Sequence, residues 1–199
     1  MEQLNNTLLL ALRAPDHPSG AMLGLAIFLA QYLIWLIPAL IGVRWLYRPA
    51  NRGTLLIATV SAVLGLLIGQ LISWLAPHPR PFMIGLAPAL ISHAPDASFP
   101  SDHLTLWWSV SFALLADPDR GLRRGAVALA LLGIPMAWAR IYLGVHFPLD
   151  MVGALIVAAC SAALAWRLSR CYLPKAYELA HAAHRRVFAS LIRRGWVCA

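Results

Sequence analysis

Ala139-Arg140-Ile141-Tyr142-Leu143-Gly144-Val145-His146-Phe147-Pro148-Leu149-Asp150 separates two apolar runs, at about residues 125–143 and 147–168. It places an arginine, a histidine and an aspartate where the chain is otherwise built to cross a bilayer. Charged side chains at such a place cost several kcal/mol unless paired or wetted, so they mark function by default. His146 and Asp150 are four apart, which puts them on one face of a helix within side-chain reach. A carboxylate behind an imidazole fixes its tautomer and raises its basicity, the condition for a histidine that attacks as a nucleophile. Arg140 lies before the Gly144 break and can fold back to the same point. A buried polar cluster that only locks helices together is the competing reading.

The composition around this stretch fits a membrane setting. Of 199 residues, 60% are hydrophobic and 12% charged, and the mean hydropathy is +0.70. This balance suits a polytopic helical membrane protein of one domain. The net charge is +8, but the basic residues sit between runs of spanning length, which argues against nucleic acid as the partner. Cys160, Cys171 and Cys198 have no metal-ligand spacing and no pairing pattern, so they read as packing residues. No charged n-region with an h-region and a cleavage site opens the chain, so no removable signal peptide is expected.

Five spans follow in order: about 21–47, 55–76, 101–116, 125–143 (with Pro135 expected to kink it) and 147–168. Gly65, Gly69 and Ser73 in the second suit close helix packing. Residues 5–13 are too short to span and read as an interfacial helix. Residues 169–199 read as a basic amphipathic tail on an anionic leaflet. Thirteen of the 16 basic residues then fall on one side, in the loops near 44–52 and 120–124 and from Arg167 through the tail. By the positive-inside rule the N-terminus is outside and the C-terminus cytoplasmic. The remaining three are Arg13, Arg80 and Arg140. Arg80 and Arg140 share the outer side with His103, His146 and Asp150.

Three distant stretches therefore meet at one end of the bundle. In Pro77-His78-Pro79-Arg80-Pro81-Phe82, prolines hold the arginine extended, and a stiffened guanidinium suits phosphate oxygens. In Phe99-Pro100-Ser101-Asp102-His103, Ser101 is a good helix N-cap, and a helix start is an anion site. Capping alone accounts for Ser101 and Asp102, but not for His103. Two arginines and a helix N-terminus describe a phosphate cradle. The two histidines divide into one that attacks phosphorus and one that protonates the departing oxygen. A metal reading fails because the arginines would repel a cation and no second carboxylate cluster exists.

Arg80-Pro81, Pro100-Ser101-Asp102-His103 and Arg140-x5-His146-x3-Asp150 resemble the three-part signature of the type 2 phosphatidic acid phosphatase superfamily. That superfamily includes membrane lipid phosphatases and vanadium haloperoxidases. The resemblance covers roughly residues 55–168. It implies His146 as a nucleophile forming a phosphohistidine, Asp150 orienting it and His103 as the acid. Arg80, Arg140 and Ser101 would bind the phosphoryl oxygens, with Pro81 and Asp102 in the same phosphate-binding set, and no metal or other cofactor is implied. There are three departures. Ser73 stands where a lysine is usual, so one phosphate contact is missing or comes from another group such as His78. Asp102 replaces a glycine, and Ala139 replaces a common serine. The Pro-Ser-Asp-His form with His-Pro-Arg-Pro-Phe upstream is similar to bacterial undecaprenyl-diphosphatases of the superfamily.

The resemblance therefore implies hydrolysis of undecaprenyl diphosphate at the outer face of the bacterial cytoplasmic membrane, as part of cell-wall assembly. The isoprenoid tail would stay among the membrane lipids, with Trp107, Trp108 and Phe82 as candidate lining of a side entrance. The alternatives are a phosphatase for phosphatidylglycerophosphate or phosphatidate, a transferase passing phosphate to lipid A, and an inactive lipid-phosphate binder.

Overall fold

The computed structural model describes residues 2–199. Among these the fold is all-helical: α1 (Glu2–Leu12), α2 (Gly20–Ile27), α3 (Leu36–Tyr47), α4 (Arg52–Leu75), α5 (Asp102–Leu114), α6 (Arg120–Tyr142), α7 (Pro148–Val187) and α8 (Ala189–Arg193). Four segments are long and apolar enough to cross a membrane: Gly20–Tyr47, Pro49–Leu75, Arg120–Tyr142 and Pro148–Val187. The remaining bundle helix, α5, has 13 residues and is about 20 Å long at 1.5 Å per residue. It is short against a hydrocarbon core of about 30 Å, yet it is the hub of the bundle, packed on α4, α6 and α7.

Small residues make that close packing possible, as the spacing in the second span foretells. Gly65 of α4 faces Ser109 and Thr105 of α5 and Ser161 of α7, and a Cβ at Gly65 would come within 2.6 Å of the Ser109 hydroxyl. Ser109 and Ser161 share a hydrogen bond of 2.9 Å, and Ser61 donates to the Ser109 carbonyl at 3.1 Å. In a bilayer such bonds between helices add to packing where no water competes. Trp107 and Trp108 are buried and donate their indole N–H to the carbonyls of Leu129 and Ala130 on α6. They tie α5 to α6 and line no entrance. The helix α6 runs unbroken through Pro135.

The first span is irregular at a useful place. Pro38 has no N–H to donate and its ring crowds the carbonyl one turn earlier. Just before it the helix passes through a π turn (Phe28–Tyr32) and a 3₁₀ turn (Leu33–Trp35). Such single π turns loosen the ladder and recur at functional sites. The carbonyl of Ala30, inside the π turn, accepts from Nη1 of Arg140 at 3.2 Å.

Antiparallel order sorts the connections to two ends. One end holds α1, residues 76–101 and residues 143–147. The other holds residues 48–51, residues 115–119 and the tail. At the first end Asn5 of α1 is buried and accepts the Leu149 N–H at 3.0 Å, and the Ala14 N–H bonds the Tyr142 carbonyl at 2.9 Å. At the second, Asp119 accepts from the N–H groups of Gly121 and Leu122 and caps α6. The helix carrying the fifth span continues past Leu168 to Val187 as one helix of 40 residues. After α8 the chain folds back, and the Cys198 N–H bonds the Leu46 carbonyl at 3.0 Å. All three cysteines are free.

Candidate active site

Backbone geometry builds the site before side chains do. The helix α6 ends in a Schellman turn: the Val145 N–H bonds the Arg140 carbonyl at 3.2 Å and the Gly144 N–H bonds that of Ile141 at 3.0 Å. The turn needs φ of +74° at Gly144, where a side chain would be strained. A Cβ there would also run into the Pro88 carbonyl. The chain thus reverses at once, and His146 lands beside the Arg140 side chain six residues earlier. Pro148 then opens α7 at a position where no N–H is needed.

Asp150 reaches back over this first turn of α7. Its Oδ2 accepts from the Phe147 N–H at 2.7 Å, from Nδ1–H of His146 at 3.1 Å, and from the Ser98 hydroxyl. With Nδ1 protonated, the lone pair of His146 lies on Nε2. Nη1 of Arg80 donates to it at 3.0 Å and Nη2 of Arg140 at 3.3 Å. His146, Arg80, Arg140 and Asp150 are all at least 96% buried. The pKa of His146 is lowered well below 6.5, first by burial and then by the charges of Arg140 and Arg80, with His93 and His103 adding to the effect. The imidazole is therefore neutral at ordinary pH, with its Nε2 lone pair held between two guanidinium groups.

The arginines are held differently. Nε and Nη2 of Arg80 both donate to Asp96 at 2.8 Å, Nη2 also to the Ala97 carbonyl at 3.1 Å, and Nη1 to the Val145 carbonyl at 3.0 Å. Only its Nη1 edge faces His146. In Arg140, Nη1 holds the Ala30 carbonyl and Nη2 is shared between His146 and His93, the latter at 3.1 Å. Its buried Nε has no partner.

Ser101 sits at the N-cap of α5, yet its hydroxyl makes no capping bond and is buried without a partner. The capping explanation for this serine falls away, since a buried hydroxyl left unpaired costs about 1–3 kcal/mol. The backbone of Ser101 is tied to the site by its N–H bond to the Asp150 carbonyl at 3.3 Å. Asp102 accepts from the Gln70 amide at 3.2 and 3.3 Å; as an acceptor it offers a phosphate nothing directly. Pro81 is buried in the 3₁₀ turn Pro81–Ile84 that anchors Arg80. Ser73, at the position where the resemblance expects a lysine, donates to the Phe99 carbonyl at 2.8 Å. His78 packs edge-on against Phe147 with centroids 5.2 Å apart and faces Glu2 at 4.0 Å.

His103, partly buried, lines a groove of about 370 Å³ with Gln70, Asp102, Ile34, Leu66 and Leu106. The last three also line a second groove of about 380 Å³ that runs between the first span, α4 and α5 and is walled almost wholly by apolar side chains. The polar groove beside His103 and this apolar groove thus lie side by side, with Ile34, Leu66 and Leu106 common to both.

Three contributors lie in the stretch that reads in sequence only as an interruption between spans: His93 on Arg140, Asp96 on Arg80 and Ser98 on Asp150. The available signal was a histidine, an aspartate and a serine within six residues, directly upstream of a helix start, in a chain with 8 acidic residues and 7 histidines. No group of three or more His, Cys, Asp or Glu side chains able to hold a metal ion occurs among the described residues.

A family model described as PAP2 superfamily matches residues 54–171. YbjG of Escherichia coli (strain K12), which bears the name undecaprenyl-diphosphatase, is 35% identical, over 99% of this chain and 98% of its own. The undecaprenyl-diphosphatase BcrC of Bacillus subtilis (strain 168) is 31% identical, over 83% of this chain and 84% of its own. The crystal structure of Aquifex aeolicus LpxE superposes with a TM-score of 0.67 at 18% identity, covering 82% of this chain and 95% of that one. That likeness concerns the fold.

Proposed function

The chain belongs to the PAP2 superfamily, and from that premise we propose that it is a membrane lipid phosphatase converting undecaprenyl diphosphate to the monophosphate and inorganic phosphate. The observation that carries this reading is the neutral Nε2 of His146, backed by Asp150 and flanked by Arg80 and Arg140 at 3.0 and 3.3 Å. The names of relatives at 35% and 31% identity support the substrate class.

The reaction follows from the arrangement. A terminal phosphoryl group enters in front of His146, and its oxygens take up donors of Arg80, Arg140 and Ser101. The Nε2 lone pair attacks phosphorus as the bond to the bridging oxygen breaks. His103 gives its proton to that oxygen, which leaves on the polyprenyl monophosphate. Water then gives a proton to His103 and its oxygen attacks the phosphohistidine, releasing inorganic phosphate and restoring Nε2. Preorganised donors that meet charge developing in the transition state contribute about 3–4 kcal/mol each. The apolar groove beside His103 suits a chain that never leaves the bilayer. Thirteen of the 16 basic residues lie at or near the opposite end of the bundle, which supports a site on the periplasmic face and a cytoplasmic C-terminus.

The test uses undecaprenyl diphosphate labelled with ³²P in the terminal phosphate, incubated with the purified full chain in detergent and quenched in alkali, where phosphohistidine survives. Label on wild-type protein and none on His146→Gln is the expected result. Rapid phosphate release by His146→Gln overturns the assignment.

A further inference from the structure

We propose that His93 is a further phosphate-binding residue of this site, which takes up a proton at Nε2 as the anion binds and so supplies a third positive charge. The proposal rests on the phosphatase reading above and adds a residue that none of the three signature stretches contains.

His93 is placed for this by contacts independent of the signature. Its Nε2 accepts from the same Nη2 of Arg140 that donates to Nε2 of His146, at 3.1 and 3.3 Å respectively. Its ring stands edge-on to that of His146 with centroids 6.0 Å apart. Nδ1 faces the Ala94 carbonyl at 3.2 Å, so Nδ1 carries the hydrogen and Nε2 the lone pair. An oxygen of a phosphoryl group bound at Nη2 of Arg140 therefore comes within reach of Nε2 of His93. There it meets repulsion from a lone pair, or a charge-assisted hydrogen bond from an N–H. Protonated Nε2 and Nη2 of Arg140 would in turn face each other donor to donor, unless an acceptor oxygen lies between them. Proton and anion each favour the other.

The charges around the site call for such a proton. Two arginines, Arg80 and Arg140, are set against three carboxylates: Asp96, Asp102 and Asp150. With neutral imidazoles the two guanidinium charges are offset in part by these carboxyl groups, so a third positive charge would favour a phosphoryl dianion. The groups facing His93 are Arg140 of α6, Arg80 and Asp96 on its own connection, His146 beyond the Schellman turn, and His103 of α5. Burial, and then the two arginines, hold its pKa below 6.5 against the opposing pull of Asp96 and the Ala94 carbonyl. A bound dianion reverses the sign of that local field. His146 must stay neutral to attack, whereas His93 is only half-buried on a surface connection and open to solvent protons.

The experiment measures tungstate binding to the full chain in detergent by titration calorimetry, at several pH values and in buffers of different ionisation heat. The wild type should take up protons on binding. Its affinity should fall as pH rises, by about tenfold per pH unit for each proton linked. His93→Gln should bind about tenfold more weakly at pH 6.5, the scale of one lost charge-assisted bond. His93→Lys, charged throughout, should keep its affinity and lose one proton from the linkage, a pattern that a merely structural role would not produce. Wild-type affinity and proton uptake in both variants would overturn the role of His93 alone. No binding by the wild type would overturn it together with the site it depends on.

Discussion

Two buried arginines at opposite ends of the bundle show how alike burial can serve different ends. Arg52, fully buried, opens α4 and is consumed by its neighbours. Its Nε donates to the Trp45 carbonyl at 3.0 Å, Nη1 to the Ala199 carbonyl at 2.7 Å, and Nη2 to the Cys198 carbonyl at 3.0 Å, beside His184, whose Nδ1 accepts from the Trp45 indole N–H at 3.1 Å. Its guanidinium also lies 5.4 Å from the Trp45 ring centroid. These bonds fasten the folded-back tail and the last turns of α7 to the end of α3. Arg140, 2% exposed, keeps a buried Nε without a partner and divides one amino group between two histidines. An arginine with each of its three nitrogens bonded to a carbonyl holds structure together. One with a buried nitrogen left over calls for an explanation, which the proposed phosphate site supplies.

The largest effect expected from this contrast is at the centre of the binding end. His146→Ala should lower phosphate release by about four orders of magnitude or more, and His103→Ala by about 10²–10⁴, with both proteins still in the membrane fraction. Arg140→Lys keeps the charge but loses the fork, and should cost about 10²-fold in kcat, the lower end for one lost transition-state donor. Its thermal unfolding should change little. Arg52→Met should do the opposite. It leaves the carbonyls of Trp45 and Ala199 short of a donor and should lower unfolding free energy by about 3 kcal/mol, with kcat per folded molecule unchanged. A kcat loss in Arg52→Met equal to that in Arg140→Lys would erase the distinction between the two ends.

A gentler probe is pH. Attack needs neutral His146, whose folded-state pKa lies well below 6.5. Protonation sets in only as pH falls through that lowered value, so the acid limb of kcat/KM should have its midpoint below pH 6.5. A midpoint at or above 6.5 would contradict the burial argument. The smallest effect should come from filling the groove. Leu66→Trp should raise KM for a long-chain polyprenyl diphosphate by about tenfold, the loss of two or so buried methylenes, and leave a short, water-soluble diphosphate unaffected.

The parts legible from residues alone were those in which local pattern and chemistry coincide. Spanning runs are a matter of length and hydropathy, so the order of helices followed from them, with α5 recognisable as the short one. The His146–Asp150 pair obeys helix spacing, and the Gly144 break foretold the turn that brings Arg140 round. Less legible were relations that depend on how loops lie. Ser101 reads as a cap because serine at a helix start usually is one, yet its hydroxyl makes no such bond. Trp107 and Trp108 read as candidate lining of an entrance, yet their N–H groups are taken by carbonyls of α6.

By itself the sequence determined a helical membrane protein with two arginines, two histidines and an aspartate at one end, because apolar periodicity and the rarity of intramembrane charge are properties of single segments. Only the tertiary structure decided that His93, Asp96 and Ser98 hold Arg140, Arg80 and Asp150, and that the groove beside His103 shares Ile34, Leu66 and Leu106 with an apolar groove between the helices. Those facts depend on where an irregular connection settles against three helices. No periodicity encodes that, since each contact joins residues whose sequence neighbours do something else.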